Sequence, residues 1–161
     1  MPTTQIALIR GINVGRAKRI AMAELRALFE DLGFADVRTL LNSGNVVFTT
    51  SRAAAGDGAR IEEALADRLH VSARVMVISA VRLARVVATN PLLSVANDPS
   101  RLLVAFLARP TDRKKLEPLC KQDWENEALA LGDGAAYIWC AAGILESRLL
   151  RAVGRVVGDG M

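Results

Sequence analysis

The chain has little of what most reactive sites are built from: among its 161 residues there are two cysteines, one histidine and 4% aromatic residues. Cys120 and Cys140 have no CxxC spacing and no histidine beside them. That argues against a disulfide framework or a thiolate site, and both are read as small buried side chains of a reducing, cytoplasmic protein. His70 is the single imidazole and the carboxylates are scattered, so no metal is expected. The longest clean apolar run, Leu102 to Ala108, is too short to cross a bilayer, and Met1-Pro2-Thr3-Thr4 lacks the regions of a secretory leader. No membrane partner is expected. The nucleotide fingerprints are missing too: Gly11 and Gly15 form G-x-x-x-G, with no Gly-Lys-Ser/Thr after them and no G-x-G-x-x-G anywhere. Nucleoside triphosphate hydrolysis is therefore unsupported, and no cofactor is expected. The net charge of +4 divides evenly, Lys+Arg 10 against Asp+Glu 8 in residues 1–80 and 11 against 9 in 81–161, so there is no basic tail.

What is present is ample apolar content, 52%, in a pattern that alternates between strand and helix periods. Gln5 to Arg10 is apolar on both faces, as a central strand requires. From Ala21 to Leu32, Leu25, Leu28, Phe29 and Leu32 form one helical stripe, stopped by Gly33. Asp36 to Leu41 and Asn45 to Thr50 read as a hairpin about Asn42-Ser43-Gly44. After a flexible connection, Ala53 to Gly58, come a helix with Ile61, Ala64, Leu65 and Leu69 inward and a strand from Arg74 to Ser79. This order, βαββαβ, is ferredoxin-like.

The second half predicts a helix from Val81 to Ala88, a break at Asn90-Pro91 and a strand from Arg101 to Ala108. A helix capped by Thr111 then runs to Cys120, followed by strands Glu125–Leu131 and Ala135–Cys140 and a last helix with Leu145, Leu149, Ala152, Val153 and Val156 inward. The fold class expected is α+β: two ferredoxin-like subdomains packed together, residues 1–80 with the glycine loop and residues 81–161 reading αβαββα.

The ferredoxin-like order makes a functional prediction. Strands one and two run one way and strands three and four the other, so the exit of strand one, the hairpin turn and the connection Leu69-His70-Val71-Ser72 share one end of the sheet. That end collects Arg10, Gly11, Asn13, Gly15, Arg16, Lys18, Arg19, Asn42, Ser43, Gly44, Asn45 and His70. Backbone donors, a helix N-terminus and several cations suit a phosphate or carboxylate. The plainer alternative is that the glycines permit the turn, Asn13 and Asn45 satisfy loop backbone and the arginines are solvated. A nucleophile at Ser43 would have only His70 as its base and sits in no elbow motif. Glu24, Glu62 and Glu63 are read as solvated helix carboxylates.

Arg10-Gly11-Ile12-Asn13-Val14-Gly15, Met22-Ala23-Glu24-Leu25-Arg26, Gly33-Phe34 and Ser43-Gly44-Asn45-Val46-Val47-Phe48 closely resemble bacterial domain-of-unknown-function family 1697. So do Asn90-Pro91, Arg101 to Leu107 and Tyr137-Ile138-Trp139. The resemblance implies a small soluble bacterial protein with two α+β subdomains and no established activity. This chain has Arg148 where the family tends to lysine, and it stops at Met161, without the family's usual Thr-x-Arg-Asn-Trp-x-Thr segment. No reaction is assigned. The leading function is binding of a small anionic ligand, such as a nucleotide or phosphorylated metabolite, at the loop end. The alternatives are a nucleic-acid module, disfavoured because strand one has no aromatic and strand three only Phe48, and an interaction or scaffold protein without catalysis.

Overall fold

The computed structural model describes residues 1–16, 18–51 and 56–158. The expected flexible residues 53–55 and the terminal residues 159–161 lie outside them. The chain resolves into two compact units, Met1–Leu83 and Ala84–Met161.

The first unit runs β1 (Thr3–Ile9), α1 (Met22–Asp31), β2 (Ala35–Leu40), β3 (Asn45–Thr50), α2 (Asp57–Leu69) and β4 (Val75–Ser79). Its sheet has the order β2-β3-β1-β4 with every neighbouring pair antiparallel, which is the order the βαββαβ reading requires. Alternation along the strands puts Ala7, Ile9, Val46 and Phe48 on one face, where they meet Leu25, Leu28 and Phe29 of α1 and Ile61 and Leu65 of α2. Phe29, Phe34 and Phe48 form the centre of this core, with ring centroids 4.4 to 5.8 Å apart. The Arg60 guanidinium covers the edge of the cluster, 5.6 Å from the Phe34 ring, while it pairs with the buried Asp57 at 3.1 Å.

The second unit takes most of α3 (Ala80–Ala88), then β5 (Leu102–Phe106), α4 (Pro110–Cys120), β6 (Ala128–Leu131), β7 (Ala135–Trp139) and α5 (Arg148–Val157). Its antiparallel sheet, β5-β7-β6, buries all of β7 at the centre, and among the described residues it has three strands. Leu116, Ile138, Cys140, Leu149 and Val153 belong to its core. The Tyr137 hydroxyl, buried, donates to the Val86 carbonyl at 2.8 Å.

Several local expectations are corrected. Helix α4 is capped at Arg109 and not at Thr111: Pro110 takes the first helical position, and the fully buried Asp112 accepts from the Arg109 N–H at 3.3 Å and pairs with Arg109 and Lys115. A carboxylate three residues into the helix has displaced the hydroxyl as the capping group. Strand β6 starts at Ala128 instead of Glu125, because Glu125 has φ 60 and a turn is closed by the Glu127 N–H on the Trp124 carbonyl. Glu127 then caps α5, accepting from the N–H groups of Arg148 and Leu149 and from the Ser147 hydroxyl. Leu145 lies before that helix and is 89% exposed, so it is not part of the core stripe. Cys120 is exposed, whereas Cys140 is buried and burial pushes its thiol pKa up. Glu62 is not simply solvated: its carboxylate accepts from the Val75 N–H at 2.8 Å and so helps start β4.

No helix among the described residues is long and apolar enough to cross a membrane.

Candidate functional site

Three hydrogen bonds, two between backbone groups and one from a side chain, draw the loops of the first unit to one end of its sheet. The Ile9 N–H donates to the Gly44 carbonyl and the Arg10 N–H to the Arg74 carbonyl, each at 2.9 Å. The Asn13 side-chain amide donates to the Asn42 carbonyl at 2.8 Å. The exit of β1, the hairpin turn and the entry to β4 are therefore neighbours.

Asn13 is the hub of this end. Its Nδ2 also donates to the Ile20 carbonyl at 3.0 Å, its Oδ1 accepts from the Ile20 N–H at 2.8 Å, and its own N–H reaches the Lys18 carbonyl at 3.0 Å. Both amide hydrogens and the amide oxygen are thus engaged in closing the loop from residue 13 to 20. An asparagine tolerates the required φ of 53 better than other residues with a side chain. Asn45 plays a smaller version of this part, donating to the Leu40 carbonyl and to the Ser43 hydroxyl. Asn13, Ser43 and Asn45 are therefore loop builders, and what they leave open to a ligand is the space they frame.

The remaining expected residues fall around them. Arg10, Gly11, Gly15, Arg16, Lys18 and Arg19 are exposed along the loop, and Gly44 is buried beneath it. His70 is exposed at the left-handed C-cap of α2, and among the described residues no hydrogen bond joins it to Ser43. Residues 11, 13, 15, 18, 41, 44 and 70 all have positive φ, concentrating left-handed backbone at this one end.

Asn13, Arg19, Ile20, Ala21, Met22 and Asn42 line an open depression of about 300 Å³. Its far wall is the start of α1, whose N-cap, Ala21, has no side chain with which to satisfy the first helical N–H groups. Glu24 in the same turn is exposed. A helix start without a side-chain cap, and with it the positive end of the helix dipole, thus opens on the depression that Arg19 also lines. Sequence reasoning missed two contributors here. Arg74 is brought beside Arg10 by the pairing of Ile9 with Val75, a long-range register that no local pattern announces. Val14, Leu40 and Leu41 are exposed on the same loops, although leucine and valine read locally as core.

The central strands offer no stacking surface for bases: β1 has no aromatic residue, and Phe48 on β3 is fully buried. Among the described residues no group of three His, Cys, Asp or Glu side chains could hold a metal ion.

No curated protein matches the chain. The fold is similar to a solved structure described as a conserved bacterial protein, SP0830, from Streptococcus pneumoniae. The TM-score is 0.73 at 24% identity, covering 86% of this chain and 77% of that one. The family model described as a protein of unknown function, DUF1697, matches residues 2–137, and the chain belongs to that family.

Proposed function

We propose that the chain binds a small anionic ligand, bearing a phosphate or carboxylate, at the loop end of its first unit. One observation carries the reading. Residues 10–20, 40–45 and 70–74, the three segments that meet there, hold five Lys/Arg (Arg10, Arg16, Lys18, Arg19 and Arg74) and no Asp or Glu. Of the five, Arg19 lines a depression that ends on an uncapped helix start. Amide donors fix an anion's position, and guanidinium groups add charge-assisted hydrogen bonds. The site is open to water, which suits reversible binding.

Inorganic phosphate is the simplest probe. At ten times its Kd it should stabilise the protein by about 1.4 kcal/mol, raising Tm by about 3–6 °C for a chain of this size. Arg19→Ala should lose most of that rise, because a hydrogen bond to a charged group is worth about 1.5–3 kcal/mol. Arg155→Ala, on α5 in the other unit, should keep it. An equal rise in the Arg19 variant, or the same rise with chloride at matched ionic strength, would contradict the assignment.

A further inference from the structure

The exposed aliphatic side chains at this end ask for a partner that a free anion does not supply. Val14 is 68% exposed, Leu40 55% and Leu41 81%. Single exposed aliphatics are ordinary on protein surfaces. Two of them differ in placement: Val14 and Leu41 are the chain neighbours of Asn13 and Asn42, which line the depression and whose hydrogen bond ties the two loops together, and Leu40 adjoins Leu41.

Charge says what the partner is. The chain as a whole carries 21 Lys/Arg against 17 Asp/Glu, and the three loop segments hold five of the cations and none of the acids. The rest of the chain is left with 16 against 17, a net of −1, so the three loop segments that contain Val14, Leu40 and Leu41 carry the whole positive excess. A carboxylate that does reach this end, that of Glu62, is engaged by the Val75 N–H. None of the ion pairs among the described residues involves Arg16, Lys18 or Arg19.

A free phosphate would satisfy the cations and leave the aliphatic tips in water. A nucleic acid would want flat aromatic faces, and the first unit's three, Phe29, Phe34 and Phe48, are buried. An anionic lipid surface matches both features, with basic side chains at the phosphate level and aliphatic tips at the acyl boundary. We propose that the loop end docks on anionic lipid surfaces, with a headgroup phosphate in the depression; this rests on the anion-binding reading above. The sequence argument against a membrane partner rested on the length of apolar runs, which bears on crossing a bilayer and not on lying against one.

The test is sedimentation of the full chain with vesicles of phosphatidylcholine alone and of phosphatidylcholine mixed with phosphatidylserine. Binding is expected to the mixed vesicles only and should weaken as salt rises. Arg16→Ala and Lys18→Ala should each weaken it by about fivefold, and the pair Leu40→Ser, Leu41→Ser by about tenfold or more. All four positions are exposed, so circular dichroism should show unchanged folding. Failure to bind mixed vesicles, equal binding to both kinds, or an unaffected leucine variant would overturn the proposal. If phosphate still raises Tm while vesicles do not bind, lipid docking falls and anion binding stands. If neither is seen, both fall.

Discussion

Replacing Gly44 with alanine is expected to destabilise the protein by about 3 kcal/mol or more, with Gly11→Ala as the control at about 1 kcal/mol. Both glycines have positive φ, +97 and +74, so both variants carry the left-handed penalty of an L side chain. Space separates them. A Cβ on Gly44 would lie 2.7 Å from the Ile9 carbonyl oxygen, 3.0 Å from the Ile9 Cβ and 3.1 Å from the Ile12 Cδ1, whereas one on Gly11 would meet nothing within 4 Å. The closest obstacle at Gly44 is backbone, in the middle of the contact that joins the hairpin turn to the exit of β1. Relief would mean pushing these two apart, which would loosen the site along with the fold. Urea midpoints at constant m-value measure the difference. Equal costs for the two variants would show that Gly44 answers only to its φ and that the loops are not closely packed.

Asn13→Ala is expected to cost about 2–3 kcal/mol, and to abolish phosphate-induced stabilisation at the same time. The substitution removes two donated bonds and one accepted bond, leaving both backbone polar groups of the buried Ile20 without their partner. It also puts an ordinary side chain at φ 53. Asn13→Asp separates the two roles, since it keeps the acceptor for the Ile20 N–H but sets a carboxylate against the carbonyls of Ile20 and Asn42. It should be at least as destabilising as alanine. If instead Asn13→Ala were stable and lost only phosphate binding, Asn13 would be a ligand contact and not the closure of the loop.

Much of the first unit is legible in the sequence because its signals are local. The three- and four-residue stripe through Leu25, Leu28 and Phe29 marks α1, and strict alternation through Val46 and Phe48 marks β3 with its bounds at Asn45 and Thr50. Once βαββαβ is read, the meeting of three loops follows from strand direction alone. What sequence could not supply is long-range register. Arg74 joins the basic end only because Ile9 pairs with Val75. Leu40 ends β2 on the face opposite the buried Val37, and at Leu41 the left-handed backbone turns the chain out of the strand, so both are exposed. The cap of α4 misleads for a related reason: threonine is a good local cap, yet a buried carboxylate at Asp112, held by Arg109 and Lys115, replaces it. Even division of charge between the two halves hid the asymmetry that matters, because folding sorts the charges by loop and not by position along the chain.

Amide chemical shifts on titration with inorganic phosphate test anion binding at the loop end most directly. The account predicts saturable changes concentrated at Arg19 to Glu24 and at Asn13 and Asn42, the residues that line the depression and begin α1, with little change in the second unit. Changes scattered over the basic residues of both units, or concentrated elsewhere, would contradict it.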